Sequence, residues 1–145
     1  MGETDHEGAA RAESLLDEVA RGASSPMQIA RQLGDVAATV GFDWERPEQA
    51  LDKVREEVEE VAQALAEGER EAIEGELGDL LFAACMVARK AGVDAEAALR
   101  RTNDKFRARF AAIERELKAR GVALGEASLE QMEQAWQRAK GGDGA

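Results

Sequence analysis

The chain has 145 residues, a formal net charge of −11 and a single cysteine, Cys85. This length suits one domain with a hydrophobic core, and the acidic balance argues against binding of duplex nucleic acid, whose phosphates are held by basic surfaces. One cysteine cannot form an intramolecular disulfide, which suits a reducing compartment. No stretch approaches the roughly 18 apolar residues of a membrane span. The acidic N-terminus lacks the apolar core of a secretory signal. We therefore expect a cytoplasmic protein without nucleic-acid or membrane partners.

Helix-forming residues dominate the sequence, and the spacing of its apolar residues predicts an all-α antiparallel bundle of four to five helices. Residues 1–25 are rich in Gly, Ala, Ser and charge, which predicts a flexible arm or linker before a helical domain at 26–140. A first helix is expected over 26–40, because Pro26 suits a first helical turn and a glycine follows at position 41.

The next two helices are expected over 47–66 and 69–91, and the short connection at Gly68 makes them antiparallel neighbours. The third helix is apolar on nearly every side from Leu80 onward, so it must be covered all round. In so small a bundle, this pattern predicts dimerisation through the core helices. A core-facing stripe on the second helix is expected to comprise Leu51, Val54, Val58, Val61 and Leu65.

The second helix also carries a dense acidic run at 56–60. At about 100° per residue, Glu57 lies nearest the core on one flank of the apolar stripe, Glu60 lies further round and Glu56 further still. Glu59 falls on the opposite flank, where we expect it to be solvated. The four acids are therefore not equivalent.

On the third helix, Glu76 and Asp79 lie three residues apart on one flank of its apolar stripe. Such a pair, facing another pair on an antiparallel neighbour, can converge on one small volume, where carboxylates repel unless a divalent metal neutralises them. Mg²⁺ suits oxygen ligands, with Mn²⁺ as an alternative. The alternative is that these acids belong to an ordinary solvated helix face. Spacing alone does not decide between a metal site and such a face. The candidate metal ligands are Glu57, Glu60, Glu76 and Asp79, with Glu56 added to the catalytic set.

A fourth helix is expected to run to about residue 120, and basic residues are concentrated at its positions 100–109. Lys105 and Arg109 share one edge of it and are candidates for binding phosphate beside a metal. Without a suitably placed histidine or an activated cysteine, an acidic cluster with Mg²⁺ is the expected means of activating water. A last helix is expected after Ser128, which suits its N-cap, and residues 141–145 are expected to form a disordered tail.

These motifs, taken in order, resemble the MazG family of all-α nucleoside triphosphate pyrophosphohydrolases. The family pattern EExxE followed by ExxD is matched at 56–60 and 76–79. The similarity covers about residues 26–140, and this single domain looks most like the C-terminal copy of two-domain members. It extends to the Gly-Phe-Asp-Trp stretch at 41–44, to Asn103-Asp104-Lys105-Phe106 with Arg109, and to Trp136 and Lys140.

The resemblance implies Mg²⁺-dependent hydrolysis of a nucleoside triphosphate, ribo or deoxy, to the monophosphate and pyrophosphate, in a house-cleaning role. It also implies a homodimer or a dimer of dimers, since family members usually form dimers. The acidic centre would hold the metal at the four residues named above, with Glu56 beside them. Substrate contacts are expected from Lys105 and Arg109 on the phosphates, from Trp136 on the base side, and from Lys53 and Asn103.

Two other functions stay open at this point. One is a hydrolase specific for dUTP or dCTP, because related families with those substrates share the helical core. The other is a non-catalytic helical module for dimerisation or nucleotide sensing, in which the acids are only surface charge.

Overall fold

The computed structural model describes residues 14–19, 21 and 25–142. No strand occurs in that part of the chain, so the predicted all-α class is confirmed, and none of its helices has the length and apolar character needed to cross a bilayer. The helices are α1 (Pro26–Ala38), α2 (Pro47–Glu67), α3 (Arg70–Lys90), α4 (Ala95–Ala119) and α5 (Leu129–Gly142), with short 3₁₀ helices at Leu15–Glu18 and Leu124–Glu126.

Short-range signals fix the ends of these helices. The Ser25 hydroxyl accepts the amide N–H of Gln28 at 3.3 Å, and Pro26 follows in the first turn of α1. At α5, the Ser128 hydroxyl accepts the amide N–H of Gln131, whose side chain accepts the N–H of Ser128 in return. This reciprocal pair is a capping box, and the predicted cap at Ser128 is confirmed.

The chain divides into two compact units, Met1–Glu96 and Ala97–Ala145. In the first unit, α2 and α3 form an antiparallel hairpin and α1 packs on α3. Gly68 has φ +76°, a left-handed conformation that glycine adopts without steric cost and that turns the chain from α2 into α3. The core of this unit is built from Ala30, Cys85 and Met86, with Met27, Trp44 and Ala95 packed against it.

The face that α2 buries within the chain differs from the predicted stripe. The buried residues of α2 are Ala50, Glu57 and Ala64, which follow one another at intervals of seven. Small alanine side chains on this face suit close packing of helices. Val58 and Leu65, by contrast, are 47% and 59% exposed. The prediction that these two residues face the chain's own core is wrong.

Both chain ends lie partly outside the described residues. Within the predicted arm at 1–25, Leu15–Glu18 forms a 3₁₀ helix that contacts α1, and Val19 is buried. Residues 1–13, 20 and 22–24 are not described. Of the predicted tail at 141–145, the first two residues belong to α5 and the rest lie outside the described part.

The second unit has a core of its own, formed by Ile113, Leu117 and Ala135. An ion pair ties α5 to α4, because Arg138 Nε lies 2.6 Å from Glu116 Oε1. The two core residues that α4 contributes, Ile113 and Leu117, lie in its C-terminal half. In its N-terminal half, Phe106 is exposed.

Candidate metal centre and substrate site

The α2–α3 hairpin brings three of the four predicted metal ligands together. Glu57 of α2 and Glu76 and Asp79 of α3 each offer one carboxylate oxygen, and these three atoms lie within 4.8 Å of one another. Glu76 and Asp79 lie about one helical turn apart, so both reach the same side of α3. The fourth predicted ligand, Glu60, is exposed and is not one of the three convergent groups.

Glu57 is the innermost of these acids, with only 8% of its surface exposed. A buried carboxylate is costly unless it is paired, and Lys53 Nζ lies 3.3 Å from Glu57 Oε1 and 3.3 Å from Glu56 Oε1. These hydrogen bonds, with Glu56 first and Glu57 second, raise the pKa of Lys53. Lys53, predicted as a substrate contact, therefore serves as the counter-charge of the two glutamates in this structure.

The pKa of Glu76 is raised above its ordinary value. Burial is the main cause, and the negative charges of Glu60, Asp79 and Glu57 add to it. Glu60 thus acts on the centre electrostatically although its oxygens do not join the convergent group. The centre carries more negative charge than Lys53 alone balances.

The donor set fits a hard divalent cation. All three convergent groups offer carboxylate oxygen, the ligand type that Mg²⁺ prefers. Carboxylates this close together repel one another, and a bound cation would relieve that repulsion. When bound, such an ion lowers the pKa of a coordinated water and neutralises phosphate oxygens. The chain's own part is to hold the carboxylates at fixed positions on two helices.

The acidic centre lies inside a segment that matches a protein-family model. Residues 45–113 match the model of the MazG nucleotide pyrophosphohydrolase domain. This segment is similar to a MazG domain. The resemblance found in the acidic motifs is thereby confirmed, and α2, α3 and most of α4 fall within the matched segment.

Several curated proteins are similar to this chain. A "nucleoside triphosphate pyrophosphohydrolase" from Escherichia coli K12 is 40% identical over 129 residues, which are 88% of this chain and 49% of the relative. A "nucleoside triphosphate pyrophosphohydrolase/pyrophosphatase MazG" from Thermotoga maritima is 39% identical over 117 residues, 81% and 45% of the two chains. The "uncharacterized protein YabN" of Bacillus subtilis is 48% identical over 68 residues, 47% of this chain and 14% of the relative. This chain spans about half the length of the first two relatives.

The remaining predicted substrate residues lie in the second unit, on α4 and α5. The guanidinium carbon of Arg109 lies 5.4 Å from the centroid of the Trp136 ring, a cation–π arrangement. The Phe106 ring is also 5.4 Å from that of Trp136. The structure therefore joins Arg109 and Trp136 in one cluster, whereas Lys105 and Asn103 are exposed on α4.

One charged cluster of the first unit was not predicted from sequence. Arg89 donates to both oxygens of Asp43 at 2.8 and 3.1 Å and to Asp35 Oδ1 at 2.7 Å, while Lys90 donates to Asp43 Oδ2 at 3.1 Å. The hydrogen bond from Arg89 is the main cause that holds the pKa of Asp43 well below its usual range. The only sequence signal was an aspartate between Phe42 and Trp44, with two basic residues ending α3.

Proposed function

We propose that this chain hydrolyses nucleoside triphosphates, ribo or deoxy, to the monophosphate and pyrophosphate. Water attacks phosphorus at the α–β anhydride, the bridging P–O bond breaks, and pyrophosphate leaves. The observation that carries the proposal is the convergence of Glu57, Glu76 and Asp79 within 4.8 Å inside the matched segment. The printed names of the E. coli and T. maritima relatives support the reaction class. A house-cleaning role towards non-canonical or excess nucleotides suits such a reaction.

Each predicted site residue has a role in this proposal. The acidic centre would hold Mg²⁺, with Mn²⁺ as the alternative, and Glu56 would orient the attacking water. Positive charge on α4 neutralises the triphosphate as in other phosphoryl-transfer sites. The proposed metal ligands are Glu57, Glu76 and Asp79, with Glu60, which lies outside the convergent group, as the fourth. The proposed phosphate contacts are Lys105 and Arg109. Further substrate contacts are proposed for Asn103 and Trp136, and for Lys53, which in this structure pairs with Glu56 and Glu57.

The same proposal includes a homodimer or a dimer of dimers. Its support is the apolar surface that α2 and α3 leave uncovered within one chain, where Val58, Leu65 and Leu81 are between 47% and 61% exposed. Large apolar side chains left exposed on two packed helices are expected at a protein interface. We also propose a cytoplasmic location, as the lone cysteine led us to expect.

A nucleotide panel tests the reaction. The chain is incubated with all NTPs and dNTPs and Mg²⁺, and pyrophosphate and inorganic phosphate are scored separately. We expect pyrophosphate as the product. We also expect Glu60→Ala and Asp79→Ala each to lower turnover by about 100-fold or more. Mutation of residues that only support metal ligands already lowers metal affinity or activity by about 10- to 100-fold, and loss of a ligand itself should cost at least as much. Glu59→Ala, an exposed acid of the same helix, is the matched control and should retain activity.

Other outcomes of the panel separate the alternatives. Turnover of dUTP or dCTP alone would make the chain a specific hydrolase. Release of inorganic phosphate only would contradict the reaction class, and full activity in the Asp79 variant would contradict the site. If neither Mg²⁺ nor Mn²⁺ supports turnover of any triphosphate, the chain is a non-catalytic module. Circular dichroism of each variant establishes that the helices are intact.

A further inference from the structure

Lys53 of α2 is shared between two glutamates of its own helix. Its Nζ atom lies 3.3 Å from Glu57 Oε1 and 3.3 Å from Glu56 Oε1. The glutamates follow the lysine by three and four residues, a spacing that places all three side chains on one side of the helix. The two contacts are equal in length, but the two carboxylates differ in their surroundings.

The contact with Glu57 is the stronger of the two electrostatically. The Glu57 side chain is 10% exposed, whereas that of Glu56 is 63% exposed. Attraction between charges is strong where water is excluded and weak at an exposed pair. Within the described part of the chain, Lys53 is the one basic residue that forms an ion pair with Glu57. The buried carboxylate therefore depends on this ammonium group for a counter-charge.

The same carboxylate belongs to the acidic centre. Glu57, Glu76 and Asp79 each offer one oxygen, and these three atoms lie within 4.8 Å of one another. A divalent cation held by this group would lie close to the ammonium group that contacts Glu57, and two positive charges at such a separation repel each other. Lys53 and the cation therefore require the same carboxylate.

Lys53 can leave Glu57 without losing both of its partners. The lysine side chain is 43% exposed, and its ammonium group ends a flexible four-carbon stem. Glu56 is well exposed and can keep the ammonium group at the edge of the acidic centre once the contact with Glu57 is broken. Rotation of the lysine side chain is sufficient for this exchange, so neither helix has to move.

We propose that Lys53 competes with the divalent cation for the Glu57 carboxylate, and that it contacts the triphosphate only after it has left that carboxylate. The inference rests on the proposed triphosphate hydrolysis, and it gives that site an order of events in which the cation precedes the lysine–phosphate contact. It also explains how one lysine serves both as the counter-charge of Glu57 and as a substrate contact.

Titration with metal in the absence of nucleotide tests the competition. The protein is treated with EDTA and dialysed, Mn²⁺ is added while the free ion is measured by electron paramagnetic resonance, and Mg²⁺ is titrated by calorimetry. Lys53→Met should bind both ions about tenfold more tightly than wild type, a size typical of the coupling between two binding events. Lys53→Arg, which keeps the positive charge, should show no such gain.

Arg55→Met is the matched control, because it removes the same charge from the same helix. Arg55 pairs with Asp52 at 2.7 Å, and both side chains are about 70% exposed. Its metal affinity should equal that of wild type, and a gain as large as that of Lys53→Met would overturn the proposal. Unchanged or weaker binding in Lys53→Met would also overturn it, since removal of a residue that only orients a metal ligand weakens binding by about 10- to 100-fold.

Steady-state kinetics test the contact with the triphosphate. Lys53→Met should raise KM by about tenfold or more, the loss typical of a hydrogen bond to a charged group, while it tightens binding of the free ion. An unchanged KM would overturn the substrate contact. If wild type shows no turnover, the proposed reaction fails, whereas the metal titration still decides the competition. Circular dichroism establishes that each variant keeps its helices.

Discussion

Asp43 joins the segment after α1 to the end of α3. Its carboxylate is about one-fifth exposed and the Arg89 side chain about one-tenth, so this pair is shielded from solvent far more than an ordinary surface ion pair. Arg89 binds it in the two-pronged geometry that suits a guanidinium and a carboxylate. The pair holds the segment after α1 against the C-terminal end of α3.

We expect Asp43→Asn to lower the free energy of unfolding by about 2 kcal/mol at pH 7, the contribution typical of hydrogen bonds to charged groups. The pKa of Asp43 is depressed in the folded chain, so the stabilising contribution is fully present above the ordinary value of 3.8 and is lost as pH falls below it. Urea denaturation at pH 7, 4.5 and 3 should show the difference between wild type and variant shrinking only at the lowest pH.

Asp52→Asn is the matched control for this experiment. Asp52 also pairs with an arginine at 2.7 Å, but both side chains are about 70% exposed, and pairs of this kind contribute little. An Asp43→Asn variant as stable as the Asp52→Asn variant at pH 7 would contradict the role given to the shielded pair.

Residue by residue, the sequence predicted contacts within one helical hairpin better than contacts between distant segments. Helical phase placed Glu57 inward and Glu59 in solvent, because both depend only on the geometry of α2. The pairing of Asp43 with Arg89 depends on how α1 and its following segment approach α3, and no local pattern encodes that approach. A mostly apolar cavity of about 410 Å³, which Asp43 and Arg89 help to line, went unpredicted for the same reason.

At the scale of elements, α1 meets α3 at a glycine. A Cβ atom at Gly34 would lie 2.8 Å from Met86 Sδ and 2.9 Å from Arg89 Cδ. Arg89 is held by two aspartates and cannot move without loss of those bonds. The two helices can therefore approach this closely only because residue 34 has no side chain.

Gly34→Ala should consequently destabilise the chain by about 1 kcal/mol. Alanine improves helix propensity by about 1 kcal/mol, but overpacking in a tight contact costs about 1 to 3 kcal/mol, and the held arginine favours the upper part of that range. Gly75→Ala in α3, where a Cβ meets nothing within 4 Å, should stabilise it by up to about 1 kcal/mol. Thermal denaturation of both variants tests this, and a Gly34→Ala variant more stable than wild type would refute it.

Helix positions were predictable within a few residues, because proline, serine and glycine mark the ends locally. The face of α2 that packs inside the chain was not predictable. An apolar stripe has the same residue pattern whether it packs on the chain's own core or on another molecule. Leu65 and Val58 fit the stripe, yet the chain buries Ala50 and Ala64 instead. The periodicity of apolar residues identifies a helix face that is buried from water. It does not identify whether the same chain or another molecule buries that face.

At the scale of the whole molecule, this uncovered apolar face leads to a prediction about assembly. Wild type should sediment as a dimer or a dimer of dimers at micromolar concentration, and Leu81→Glu should sediment as a monomer, because a carboxylate in an apolar interface must be desolvated without a partner. Leu81 is 61% exposed in the single chain, so the substitution should leave the circular dichroism spectrum unchanged.

Val40→Glu serves as the control for assembly, since Val40 is 71% exposed but lies outside α2 and α3. It should sediment like wild type. A monomeric wild type, or a Leu81→Glu variant that assembles normally, would exclude the interface proposed on these helices.

The turn at Gly68 also bears on how fast the chain folds. Glu57, Glu76 and Asp79 all belong to one helical hairpin, so the carboxylates meet once a single short loop has closed. The entropy cost of closure grows slowly with loop length, and contacts that are local in sequence form early. These carboxylates therefore begin to repel one another while the hairpin is still forming. A divalent cation in solution would relieve it then, and so would raise the rate of folding as well as the stability of the finished site.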